Sequence, residues 1–90
     1  MADKVMVAGT VKGNTSSTSC KVTFTSNNQP FDKTLSKNTG DTHWFYMMTL
    51  DAGSYSASAV DTTNGGSDPK HDKDVTLSTP GPNEEHFDIS

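Results

Sequence analysis

The chain contains no arginine and only one cysteine in its 90 residues. Seven lysines are spread from Lys4 to Lys73 against a formal net charge of -4. No basic stripe is therefore available to displace counterions from phosphate, which excludes the usual mode of nucleic-acid binding. The same balance disfavours an anionic membrane surface. A lone Cys20 rules out an intramolecular disulfide. Its alternation with Val22 and Phe24 reads as a buried, small apolar residue rather than a nucleophile or an intermolecular bridge. No apolar run approaches the length needed to span a bilayer. The start, M-A-D-K-V-M-V-A-G, lacks the long apolar segment of a secretory signal. The chain is expected to be soluble, with the cytoplasm, a virion or a separate export route all left open as its place. Apolar residues make up 30% of it. The core must then be thin, and a metal ion, a partner chain or repeated copies would add support.

What is present is a β pattern. In L-D-A-G-S-Y-S-A-S-A-V-D (50–61), Tyr55, Ala57 and Ala59 alternate with Ser54, Ser56 and Ser58, giving one buried and one hydroxyl-rich face. A tyrosine two residues after Gly53 fits a tyrosine corner, in which the phenol bonds back to upstream backbone. Further strands are expected over 4–12, 20–26, 31–36, 42–50 and 74–79. Segment 85–90 is either an added edge strand, with Phe87 and Ile89 on one face, or a tail. Ser, Thr, Asn, Gly and Pro clusters separate these runs as turns. No segment shows a helical period. The expected inward residues are Val5, Val7, Val11, Val22, Phe24, Leu35, Trp44, Tyr46, Met48, Leu50, Tyr55, Ala57, Ala59, Val75 and Leu77. Residues 1–90 are expected to form one all-β sandwich of about seven strands.

The motifs V-A-G-T-V, C-K-V-T-F, T-H-W-F-Y and L-D-A-G-S-Y-S-A-S-A-V-D-T-T-N-G resemble bacterial immunoglobulin-like domains, the beads of large surface adhesins and of phage structural proteins. The likeness spans about residues 7 to 78 and is strongest at Trp44, Leu50, Gly53, Tyr55, Ala59, Asp61 and Asn64. It implies a Greek-key, immunoglobulin-like sandwich acting as a noncatalytic structural or adhesive module. Transthyretin-like and carboxypeptidase-regulatory-like sandwiches use a similar G-x-Y turn, so a transthyretin-like topology is the close alternative.

Three candidate sites follow. Asp61, Asn64, Asp68, Asp72 and Asp74 concentrate oxygen ligands of the kind calcium takes, without the spacing of an EF-hand and with Lys70 and Lys73 interspersed. The bland reading is an ordinary solvated loop. On 43–48, alternation sends Trp44 and Tyr46 to one face and Phe45 and Met47 to the other. If the first face is core, Phe45 and Met47 are either covered by a loop or the C-terminal segment, or form a surface with Phe87 and Ile89 for a protein partner or a second copy. A lectin-like module, with Trp44 or Phe45 stacking a sugar and Asp61 and Asn64 reading it, is the third. His43, His71 and His86 lack paired metal-ligand spacing and read as surface residues. Gly65-Gly66-Ser67 lacks the Gly-Lys-Ser/Thr of a phosphate loop, and no nucleophile stands beside a base, so no enzyme activity and no required cofactor are expected.

Overall fold

A computed structural model describes residues 3–65 and 70–90. The eight strands are β1 (Lys4–Lys12), β2 (Ser19–Ser26), β3 (Gln29–Ser36), β4 (His43–Asp51), β5 (Gly53–Asp61), β6 (Lys70–Leu77), β7 (Asn83–Glu84) and β8 (Phe87–Asp88). They form two sheets. One runs β4-β1-β7, with β8 continuing β7 along β1, and the other runs β3-β2-β5-β6. The expected all-β sandwich is thus observed, with eight strands. In constant-type immunoglobulin sandwiches the first two strands share a sheet. Here β1 and β2 lie in opposite sheets, and β1 pairs antiparallel with β4 and parallel with β7 and β8.

The core is built by strict alternation. Val5, Val7 and Val11 of β1 and Trp44, Tyr46 and Leu50 of β4 meet Cys20, Val22, Phe24, Tyr55, Ala57, Ala59, Val75 and Leu77 from the other sheet. Of the expected inward residues only Met48 is partly exposed. Phe24 packs against Tyr46, Tyr55 and Phe87 with ring centroids 6.2, 6.1 and 6.4 Å apart. The Tyr55 hydroxyl donates to the Asp51 carbonyl at 2.7 Å, closing the tyrosine corner.

Two elements differ from their expected bounds. The β2–β3 turn is shorter, because Asn27 and Asn28 both take positive φ (53° and 62°) and reverse the chain in two residues. Strand β6 begins at Lys70 rather than 74, its charged residues pairing Val60↔Lys70 through Ser56↔Asp74. The C-terminal segment is an edge strand in two pieces. It lies against β1 only because residue 9 is glycine: a Cβ there would come within 1.8 Å of the Glu85 carbonyl oxygen. A Cβ at position 13 would likewise strike the Trp44 ring, at 2.2 Å.

Candidate interaction surface

Strand β4 carries the most exposed large apolar side chains of the described residues. Phe45 is 74% and Met47 58% exposed, and Met6 on β1 is 41% exposed. Alternation along a nine-residue strand that turns Trp44, Tyr46, Met48 and Leu50 inward forces the intervening side chains outward. Register then gathers them: Met6 lies opposite Thr49, Ala8 opposite Met47 and Thr10 opposite Phe45. The result is an apolar patch on the outer face of the β4-β1 sheet, flanked at one end by the Lys4–Asp51 ion pair at 3.0 Å. Among the described residues neither a loop nor the C-terminal segment covers it.

Beside Phe45 the patch dips into a shallow groove lined by Ala8, Thr10, Pro82, Asn83, Glu84 and His86. Strand β1 offers a backbone N–H at Thr10 in the gap between β7 and β8. The His86 ring fills that gap: its Nδ1 accepts from the Thr10 N–H at 3.0 Å, and its Nε2 faces Glu84 Oε1 at 2.9 Å. A side chain thus replaces the missing strand, satisfying a donor that would otherwise be left to water.

The expected site residues are distributed differently. Phe87 and Ile89 are core residues, exposed by only 3% and 2%, and are corrected from the interface to the interior; Trp44, 1% exposed, takes its expected inward place and offers no surface to a partner or a sugar. The reason is that the C-terminal strand turns its apolar face onto Phe24 and Tyr46. Of the four interface residues expected, Phe45 and Met47 remain at the surface. The calcium set is not brought together. Asp61 faces inward on β5, where its carboxylate accepts from the Ser17 hydroxyl and from the Thr63 N–H at 2.9 Å. Asp72 and Asp74 pair with Ser58 and Ser56 on the outer face of the same sheet, and Asp72 meets Lys70 at 3.5 Å. Asn64 is exposed in the turn after β5. Asp68 lies outside the described residues. The sheet itself therefore separates Asp61 from Asp72 and Asp74. No cluster of three or more metal-ligating side chains occurs among the described residues. The sugar-reading trio is divided as well: Phe45 is on the outside of one sheet, and Asp61 is inside the other.

The buried polar groups have structural partners. Burial raises the Asp61 carboxyl, but hydrogen bonds from Ser17 and Thr63 and the charge of Lys37 outweigh it, and the group sits below its ordinary range. Lys37 also donates to the Asn14 carbonyl at 2.8 Å and stands 4.6 Å above the Trp44 ring. Burial, reinforced by Asp61, pushes the Cys20 thiol up to about 12. At neutral pH it holds its proton and is a poor nucleophile. Across the opposite side of the sandwich, Lys73 on β6 binds Glu85 at 3.0 Å and the His86 carbonyl at 2.7 Å, while His71 Nδ1 accepts from the Asp88 N–H at 3.1 Å. The sequence reading passed over these clasp residues, because a Lys-His-Asp-Lys-Asp run carries no apolar alternation. No protein-family model, curated protein or solved structure matches the chain.

Proposed function

We propose that the chain is a noncatalytic structural or protein-interaction module that docks through the outer face of the β4-β1 sheet. The observation that carries this reading is the clustering of Phe45, Met47 and Met6 on one uncovered face. Isolated exposed apolar residues are commonplace, whereas a contiguous group framed by polar residues marks a binding surface. The resemblance to bacterial immunoglobulin-like beads of adhesins and phage particles points the same way. A photo-crosslinking residue at position 45 tests the reading. Discrete adducts in the source cells from position 45, with none from the exposed control position 32, are expected. Equal labelling from both positions would remove the face as a docking surface.

A lectin-like role is the second reading. It is favoured by the groove in which Phe45 stands beside Asn83, Glu84 and His86, an aromatic platform with polar readers. A glycan array discriminates: binding lost in Phe45→Ser would favour this reading over the first.

A further inference from the structure

The free edge of β4 is self-complementary, and we infer that it pairs antiparallel with the β4 edge of a second copy of this chain, centred on Met47. The inference builds on the interaction-module reading by naming the partner, but it rests on backbone geometry that the outer face does not supply. Sheet pairing in this molecule follows one parity. The Gly13 N–H donates to the Thr42 carbonyl at 2.8 Å just before β4, and the Ala52 N–H donates to the Asp3 carbonyl at 2.8 Å just after it. Antiparallel ladders alternate between pairs that exchange both hydrogen bonds and pairs that exchange none. The even-numbered residues from Thr42 to Ala52 therefore bond to β1. The backbone N–H and C=O groups of His43, Phe45, Met47, Thr49 and Asp51 point the other way, to a side on which no strand is paired among the described residues. The other flank of β1 keeps the same parity: its Ala8 and Lys12 carbonyls accept from Glu85 and Ile89, at 3.1 and 2.7 Å.

Among the described residues the sandwich presents four edges, and three carry protection. Strand β3 has Pro30, Asp32 and an inward-facing Lys33. Strand β6 has Lys70, Asp72, Lys73 and Asp74. Strands β7 and β8 are two residues each. Charge, proline, inward charge and shortness are the devices by which edges avoid pairing. Strand β4, H-W-F-Y-M-M-T-L-D, has no Pro, Lys or Gly along its nine residues, and its single acid stands at the end.

The occupant follows from the pattern of β4 itself. With Met47 opposite Met47 of the second copy, on the two-fold axis, Phe45 falls opposite Thr49 and His43 opposite Asp51. All five outward-pointing residues then meet outward-pointing residues, so the free donors and acceptors of Phe45, Met47 and Thr49 are matched, while at each end the Asp51 carbonyl already accepts from the Tyr55 hydroxyl. At both ends of the pair the one imidazole meets the one acid, Asp51, whose carboxylate also holds Lys4 at 3.0 Å. The His43 Nδ1 already bonds the Thr42 hydroxyl at 2.8 Å, which leaves Nε2 for the carboxylate. Moving the register by one residue would set outward-pointing groups against groups already bonded to β1. Moving it by two would leave His43 and Asp51 without each other. Pairing doubles the three strand positions of this sheet (β4, β1 and β7/β8) to six. It also joins the two Phe45–Met47 patches into one surface.

Sedimentation equilibrium of the unmodified chain, with amide hydrogen exchange across the same concentrations, tests the inference. The mass is expected to rise from 9.6 kDa toward twice that value. Exchange at Phe45, Met47 and Thr49 should slow as it does. A monomer throughout the micromolar to millimolar range overturns the inference. So does a dimer whose Phe45, Met47 and Thr49 amides stay fast, because its copies would then meet through the outer faces; that result would leave the docking-face reading standing. Met47→Lys places like charges on the two-fold and should weaken the dimer at least tenfold. His43→Asp should weaken it as well, and His43→Asp/Asp51→His should restore it. Failure of that restoration in a folded variant overturns the Met47-centred register.

Discussion

Strands β3 and β4 border the same open side of the sandwich, one as the edge of each sheet, yet they meet water in opposite ways. Along β3 seven of eight residues are exposed, and only Leu35 is buried. Pro30 takes the first outward position after the Asn27-Asn28 turn, where its missing N–H costs the β2 ladder nothing. Lys33 faces inward at the rim, where a second chain would have to desolvate it. Along β4 one face holds Trp44, Tyr46 and Leu50 in the core, and the other presents Phe45 and Met47. The contrast shows that solvent exposure and protection from pairing are separate properties. β3 is the more exposed strand and the better guarded one.

The sharpest way to break this comparison is to truncate one aromatic on each strand. Trp44→Ala should lower unfolding free energy by about 3–5 kcal/mol, the usual range for emptying a large aromatic site. Phe31→Ala, at a half-exposed rim position, should cost less than about 1 kcal/mol. Urea unfolding measures both, and equal losses would mean that β3 is as deeply anchored as β4.

The polar cluster around Asp61, which ties the turn before β2 to the end of β5, comes next in size. Asp61→Ala leaves the Ser17 hydroxyl and the Thr63 N–H without their acceptor and should cost about 1–3 kcal/mol. Because the native Asp61 carboxyl sits below its ordinary range, its contribution is complete above the unfolded-chain pKa of about 3.9. It is lost as pH falls through the lower native value. Acid unfolding of the parent chain should therefore steepen below about pH 4, and Asp61→Asn should flatten that limb. An unchanged limb would assign the acid sensitivity elsewhere.

Smaller effects should follow at the edges themselves. Pro30→Thr with Asp32→Thr and Lys33→Thr strips β3 of its guards and should produce concentration-dependent association by light scattering, with little change in melting temperature. If the variant scatters no more than the parent, those residues are not what keeps β3 unpaired. Smallest of all, Phe45→Ser should shift stability by no more than about 0.5 kcal/mol while reducing the binding of an apolar dye. A large loss of stability would show that the Phe45 ring is packed rather than presented.

Much of the fold was legible because a period of two needs no long-range information. Val22-Thr23-Phe24 and Tyr55-Ser56-Ala57 declare their inner faces locally, and Gly53-Ser54-Tyr55 declares its corner. Alternation also placed Trp44 and Phe45 on opposite faces. It could not show that the C-terminal segment would turn Phe87 and Ile89 into the core and leave Phe45 uncovered, since that depends on a parallel pairing between residues about 76 positions apart. Strand β6 was read four residues short because His71 and Lys73 occupy inward positions at the rim, where they reach the C-terminal segment instead of apolar neighbours. The acidic run suggested one cation site for a similar reason. Residue type was visible, but the β5–β6 register that sets Asp72 and Asp74 on the face opposite Asp61 was not.

The parallel pairing of β1 with the C-terminal segment also bears on how the molecule would carry tension. Asp3 lies at one end of β1, while Ile89 bonds to Lys12 at the other. A pull applied to residues 3 and 90 would draw these neighbouring strands in opposite directions along their own length. Their hydrogen bonds, the His86 bridge and the buried Phe87 and Ile89 would be loaded together in shear, whereas a hairpin pulled from its open end gives way one rung at a time. A tether anchored through both ends of this chain would thus meet its strongest resistance at the seam that Gly9 makes room for.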